Sequence, residues 1–267
     1  MMTEYVENLR RCLAEKKPET LLILGSGLGS LSDSLQNKTE ISYSELGFPV
    51  STVAGHAGKL AVGDIAGKTV ACMQGRFHLY EGYDPNLIKN VIAAFAAVGI
   101  KKLIVTNAAG SLRADMPAGS LMLITDHINF SGRNPLAGPN DDKVGPRFPD
   151  MSEAYNKAEI SKIKAIAEQK NIKLYEGVYL MVLGPNFETP AEVKAFGILG
   201  ADAVGMSTVP EVIAAVYAGM KVIGLSVITN LGTGLQSKVQ SHAETLAQAD
   251  EASKKLADLL HLYMGEK

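Results

Sequence analysis

The chain has 267 residues, with 26 Lys and Arg against 28 Asp and Glu and a formal net charge of −2. That length lies within the range of single α/β domains, and the slight acidity gives no basic field, which argues against a nucleic-acid partner. The two cysteines, Cys12 and Cys72, form no CxxC and have no histidine at metal spacing, so neither a disulfide framework nor a zinc site is expected, and a reducing compartment fits.

In chain order, MMTEYVENLRRCLAEKK (1–17) reads as an amphipathic surface helix whose charges leave no apolar signal-peptide core. A buried strand TLLIL (20–24) runs into the glycine-rich GSGLGS (25–30), and KTVACM (68–73) runs into QGRFHLYEGY (74–83). The longest apolar run, VIAAFAAVGI (91–100), is too short to span a bilayer, so a soluble, cytoplasmic protein without membrane contact is expected. Strands KLIVT (102–106) and SLMLIT (120–125) follow, the first leading into NAAGS (107–111). The stretch 130–151 is too long and too rich in Gly and Pro for a plain connector, and is either functional or mobile.

Further on, GVYLMVL (177–183) leads to GPNFETP (184–190), where Thr189, Pro190 and Glu192 form a capping box with proline at the first helical position. Thr208 and Glu211 repeat the capping-box spacing after GADAVGMS (200–207). KVIGLSVIT (221–229) runs into Asn230, and Ser241 and Glu244 open a last helix with the stripe Leu246, Ala249, Leu256, Leu260, Tyr263. No internal repeat interrupts this alternation. It predicts one α/β domain over 1–267 with a central mixed, mostly parallel sheet flanked by helices.

Open α/β sheets bind ligands beyond the carboxyl ends of their strands. The segments there bring glycines, hydroxyls, amides and an Arg-His pair to one rim. Gly25, Gly27 and Gly29 precede Ser30 where a dinucleotide motif needs a last glycine, and no GK[ST] follows. The loop is therefore a tight turn into a helix, or a nest of backbone N–H groups that accepts phosphate together with Ser26. Arg76 and His78 share one face of an extended segment; they are a phosphate fork, or a surface arginine beside a packed histidine. Glu188 serves a ligand or favours the helix dipole beside Thr189. Asn230 is a turn residue or a ligand contact, and His242 a ligand contact or a solvated side chain in a first helical turn.

Several blocks in order resolve these pairs: LGSGLG (24–29), GHAGKL (55–60), QGRFHLYEGY (74–83), VTNAAG (105–110), DHINFSGRNPLAGPND (126–141), RFPDMS (147–152), GPNFET (184–189), ADAVGMSTVPE (201–211) and SVITN (226–230). From Leu21 to the final helix the chain closely resembles the trimeric class of purine nucleoside phosphorylases. The resemblance implies the nucleoside phosphorylase fold, a 6-oxopurine nucleoside and inorganic phosphate as substrates, and no cofactor or metal. It implies a phosphate site from Ser26, Arg76, His78, the Ala108 backbone and Ser207, with His56 beside it. Tyr80, Met206 and His242 would hold the ribose. Glu188 and Asn230 would bind the base, with Phe187 against its face and Asn107 and Thr229 in support; Asn230, Glu188 and His78 would carry catalysis. Phe148 would close a neighbouring subunit's site in a homotrimer.

The sequence offers no pair of carboxylates plainly suited to glycosidase chemistry; the phosphate that the resemblance implies can serve as nucleophile instead. Within the same family the competing activity is methylthioadenosine phosphorolysis, which calls for Asp where Asn230 stands. An NAD oxidoreductase is opposed by the broken glycine spacing, and a catalytically silent nucleoside binder by the presence of Ser26, Arg76, His78, Glu188 and Asn230 together. After Asn230, LGTGLQSKVQSHAETL departs from the vertebrate pattern, and Gly232 and Gly234 suggest a mobile lid.

Overall fold

The computed structural model describes residues 2–50, 53, 56–235 and 241–266. The first apolar run forms β1 (Thr20–Leu24), buried along its whole length. Its alternate residues serve two cores: Leu21 and Ile23 join the cluster under α1 (Met2–Leu13) and α2 (Pro85–Ala97), whereas Leu22 and Leu24 join the one under α3 (Lys157–Gln169) and α6 (His242–Gly265). Helices on both faces explain why this strand is continuously apolar rather than alternating. The predicted N-terminal helix buries Tyr5, Val6, Leu9 and Leu13, and stops earlier than expected, at Leu13. In the last helix Ala249, Leu256, Leu260 and Tyr263 are buried, while Leu246 is only half-buried.

Among the described residues nine strands make one mixed sheet. β4 (Lys68–Gln74) and β5 (Lys102–Ser111) flank β1 in parallel. β2 (Gln36–Ser42) and β3 (Lys59–Ile65) extend the β4 edge as antiparallel strands. Neither is announced by the sequence: β2, QNKTEIS, is polar and mostly exposed and carries no apolar run, and the apolar residues of β3, KLAVGDI, are broken by Gly63 and Asp64. At the other edge the sheet is not open. β5 pairs with β8 (Ala203–Gly205), β8 with β7 (Leu174–Met181), β7 with β6 (Leu121–Asn129), β6 with β9 (Lys221–Leu231), and β9 returns to β5. Five strands thus close a ring, with β8 too short to announce itself in sequence. α4 (Pro190–Ile198) and α5 (Val209–Tyr217) complete the helices.

The closure matters for function. β5 follows β1 only to Val105, which pairs with Ile23, and then crosses to reach Val204 at Gly110. The divergence opens a gap beside residues 107–110, at the carboxyl ends of β1, β4, β5 and β9. No helix among the described residues is long and apolar enough to cross a membrane.

Capping follows sequence at two of three sites. Thr189 Oγ1 accepts from the Glu192 N–H at 3.2 Å while Glu192 accepts from the Thr189 N–H at 2.8 Å, and Ser241 Oγ accepts from the Glu244 N–H at 3.3 Å. The capping box predicted at Thr208 does not form. Thr208 has left-handed backbone, φ 77° and ψ −52°, and makes no side-chain cap bond; its hydroxyl is turned to other partners.

The Gly- and Pro-rich segment 130–151 has no helix or strand but is tied by hydrogen bonds. The Arg147 guanidinium donates to the carbonyls of Leu136 and Gly138 at 3.1 and 2.8 Å, and the Tyr217 hydroxyl donates to the Asp141 carbonyl at 2.8 Å. The suggested lid after Asn230 includes residues 236–240, which lie outside the described residues.

Candidate active site

One cavity at the β5 divergence is lined by Ser26, Arg76, His78, Tyr80, Asn107, Ala108, Phe187, Glu188, Met206, Ser207, Thr229 and Asn230. Each arrives from a strand end or the segment after it. Gly25, Ala109, Gly110, Val204, Gly205 and Thr245 complete the wall. The loop after β1 can reach this place because Gly27 has φ 76° and lies against α6, where an added Cβ would stand 2.7 Å from the Ala249 Cβ. After the loop the chain turns into a 3-10 helix, Gly29–Ser34.

At one end of the cavity Arg76 is 1% exposed. Its Nη1 donates to Ser207 Oγ at 3.0 Å and Thr208 Oγ1 at 2.9 Å, and its Nη2 to the Thr106 carbonyl. Glu211 Oε1 lies 3.6 Å from Nη1. Thr208 also accepts from the Asn107 amide at 2.9 Å, so Asn107, expected in support of the base, joins the arginine cluster. Strained backbone at functional sites persists where surrounding contacts over-determine it, and here Thr208 is held by Arg76 and Asn107.

His78 stacks on Tyr80, with ring centroids 4.7 Å apart and planes 16° apart. Burial pushes the His78 imidazole below its ordinary pKa, against the opposing pull of Glu81 at 3.4 Å. That favours the neutral ring, which offers one N–H. Burial also pushes the Tyr80 phenol up to about 12, keeping it a donor. His56 is behind the lining rather than in it: its Nε2 is 3.3 Å from Ser26 Oγ and its ring 5.2 Å from that of His78. Gly75, with φ 111°, makes room, since a Cβ there would stand 2.6 Å from the His56 Cβ.

Elsewhere in the same cavity, Thr229 donates to Asn230 Oδ1 at 2.9 Å, and Asn230 Nδ2 donates to the Leu231 carbonyl at 3.1 Å. These bonds fix the amide orientation and leave the second Nδ2 hydrogen for another acceptor. Glu188 is 8% exposed, and burial raises its carboxyl above the ordinary range, with Glu192 adding to the shift. Phe187 is 39% exposed on the rim.

Phe148 is 88% exposed and does not line this chain's cavity. The side chain of His242 lies outside the described residues. Among the described residues no group of His, Cys, Asp and Glu is placed to hold a metal.

Sequence reasoning missed Thr208, Thr106, Glu81 and Glu211 as members of the site. For Glu211 a signal existed: an acid inside the otherwise apolar VPEVIAAVY. The capping-box spacing offered it a blander role.

In this ringed α/β sheet a buried arginine-hydroxyl cluster shares one cavity with a carboxylate and a fixed amide. The chain belongs to the phosphorylase superfamily, whose model matches residues 19–264. It is 49% identical over 249 residues to purine nucleoside phosphorylase 1 of Bacillus subtilis, covering 92% of each chain. It is 46% identical over 261 residues to purine nucleoside phosphorylase of Bos taurus, covering 94% of this chain and 89% of that one. The crystal structure of the Schistosoma mansoni purine nucleoside phosphorylase with inosine has a TM-score of 0.92 at 33% identity, covering 100% of this chain and 96% of that one. The adenosine complex from the same organism has a TM-score of 0.93 at 34% identity, with 99% and 96% covered.

Proposed function

We propose that the chain catalyses phosphorolysis of purine nucleosides, converting inosine, guanosine and their 2′-deoxy forms with inorganic phosphate to free base and (deoxy)ribose 1-phosphate in purine salvage. The observation that carries this reading is the shared cavity: a buried, hydroxyl-cradled Arg76 together with Glu188 and Asn230. The relatives' names and the nucleoside complexes support it. The unit is one catalytic domain over 1–267, and phosphate is a substrate rather than a cofactor.

The reaction breaks the C1′–N9 bond and forms a C1′–O bond to phosphate. Its electron pair leaves on the purine while positive charge develops on the sugar. Phosphate, held by Arg76, Ser26, Ser207, the Ala108 N–H and neutral His78, with His56 behind, places negative charge against that cation. Tyr80, Met206 and His242 hold the ribose. Asn230 Nδ2 donates to N7 as electron density arrives there, with Thr229 holding the amide. Phe187 covers the base. The Glu188 carboxylate accepts from N1–H and, in guanine, from the 2-amino group. Adenine in its usual form has no N1–H, and an unmatched polar group in a buried site is costly.

The direct test mixes purified protein with inosine, with and without phosphate, and follows hypoxanthine. Release that requires phosphate and yields ribose 1-phosphate is expected; equal release without phosphate means a hydrolase and overturns the reading. Asn230→Asp should shift preference toward 6-aminopurine nucleosides, because a carboxylate, which only accepts, is repelled by the 6-oxo group beside N7 and can accept from a 6-amino group there. An unchanged inosine-to-adenosine ratio of kcat/KM would refute that role.

The assembly proposed is a homotrimer in which Phe148 of each chain closes a neighbour's site. Exposure of a phenylalanine on a tied loop supports it. Light scattering should give the mass of three chains. Phe148→Ala should raise the nucleoside KM roughly tenfold, the loss of one well-packed contact, and leave the phosphate KM in place. Equal changes in both constants would place Phe148 outside the nucleoside end.

A further inference from the structure

Glu211 stands in the first turn of α5 and is 3% exposed. Neither of its carboxylate oxygens has a hydrogen-bond partner among the described residues. Arg76 Nη1, 3.6 Å away, already serves Ser207 and Thr208. The carboxylate is therefore a counter-charge, not a hydrogen-bonding fork. Charges buried in this way carry a desolvation cost that a loose pairing does not recover, and the phosphorolysis described above gives Glu211 no step.

We propose that Glu211 is a positioning residue that sets the site's phosphate affinity by balancing the Arg76 charge before phosphate binds. Arg76 is the permanent cation of this cluster, and the Ser26 and Ser207 hydroxyls and the backbone N–H groups are neutral donors. Glu81 faces His78 at 3.4 Å, and Glu211 is the carboxylate that faces Arg76, so with Glu211 in place phosphate is held by directed donors rather than by an unopposed guanidinium. The same donors face the phosphate of the product. A site with excess positive charge would retain that product and slow turnover. Glu211 thus exchanges some ground-state phosphate binding for release.

This inference rests on the reading of phosphate as co-substrate, and the experiment separates the two. Thermal unfolding of the intact wild-type protein is followed against inorganic phosphate, beside Glu211→Gln and Glu211→Asp, and KM is measured for phosphate and for inosine. Glu211→Gln keeps the shape and removes the charge. It should melt lower without phosphate, gain more from phosphate than wild type does, and show a phosphate KM lower on the order of tenfold. The inosine KM should stay in place and kcat should fall. Glu211→Asp, which withdraws the charge by one methylene, should shift the phosphate KM in the same direction by a smaller factor, and it serves alone if the glutamine variant does not fold. A phosphate KM that is unchanged or raised in the folded variants overturns the role of Glu211. A wild type that gains no stability from phosphate overturns the co-substrate reading and this inference with it.

Discussion

Arg76→Ala is expected to remove phosphate-dependent turnover almost entirely and to weaken the fold at the same time. The guanidinium is buried and donates to Ser207, Thr208 and the Thr106 carbonyl. Truncation removes the Arg76 donor from all three acceptors, of which Thr208 keeps the Asn107 amide, and leaves Glu211 as an uncompensated buried charge. Breaking one partner out of a buried ion pair costs about 3–5 kcal/mol, which is a large part of the ~5–15 kcal/mol that holds a domain folded. The catalytic loss has a separate origin. A phosphate without its main oriented donor neither lies in line with C1′ nor stabilises the developing cation, and removal of one preorganised electrostatic group lowers rates by about 10²–10³-fold. Steady-state kinetics at saturating inosine and urea unfolding read the two effects independently. A variant with wild-type stability would show that the Glu211 pair is not held as described. One with wild-type phosphate kinetics would place phosphate elsewhere.

Replacement of Glu188 by Gln should lower kcat/KM for inosine on the order of 10²-fold or more, since a charge-assisted acceptor from N1–H becomes a neutral one. The pH dependence gives a sharper test. Burial holds the Glu188 carboxyl above its ordinary range, so it takes up its proton at a higher pH than an exposed glutamate does. The ionised form is the acceptor. Activity is therefore full above the raised pKa and is lost as pH falls through it, which places this acid limb above the usual carboxylate values. Phosphate ionisation affects both enzymes alike and cancels in the ratio of wild type to variant. That ratio should be constant at high pH and decline toward one as the solution is acidified. A ratio independent of pH would assign Glu188 a structural role beside the Thr189 cap.

Much of this molecule is legible in its residues taken locally. The apolar run of β1, the capping box at Thr189, the cap at Ser241 and the buried face of α6 all follow from propensity and period, which are properties of a few neighbouring residues. The residues expected after the strands also meet, because the carboxyl ends of parallel strands point to one side whatever their order in the sheet. Thus Ser26, Arg76, His78, Glu188 and Asn230 line one cavity although they span most of the chain.

Other features depend on partners distant in sequence. The polar β2 is a strand because β3 offers it an edge, and the three residues of β8 are held between β5 and β7. Ring closure through β5 and β9 follows from those pairings, and no window of sequence contains it. Thr208 shows the contest most directly. Its spacing to Glu211 specifies a local cap, but the tertiary fold brings Arg76 and Asn107 to its hydroxyl and Arg76 to its would-be partner. A cap contributes about 1 kcal/mol, whereas a buried guanidinium left without acceptors and counter-charge costs several. The sequence by itself determined the continuously apolar strands, the caps at Thr189 and Ser241 and the chemistry assembled at one rim. The tertiary structure decided which acid balances Arg76, because a buried charge must take its partner from whatever the fold places beside it.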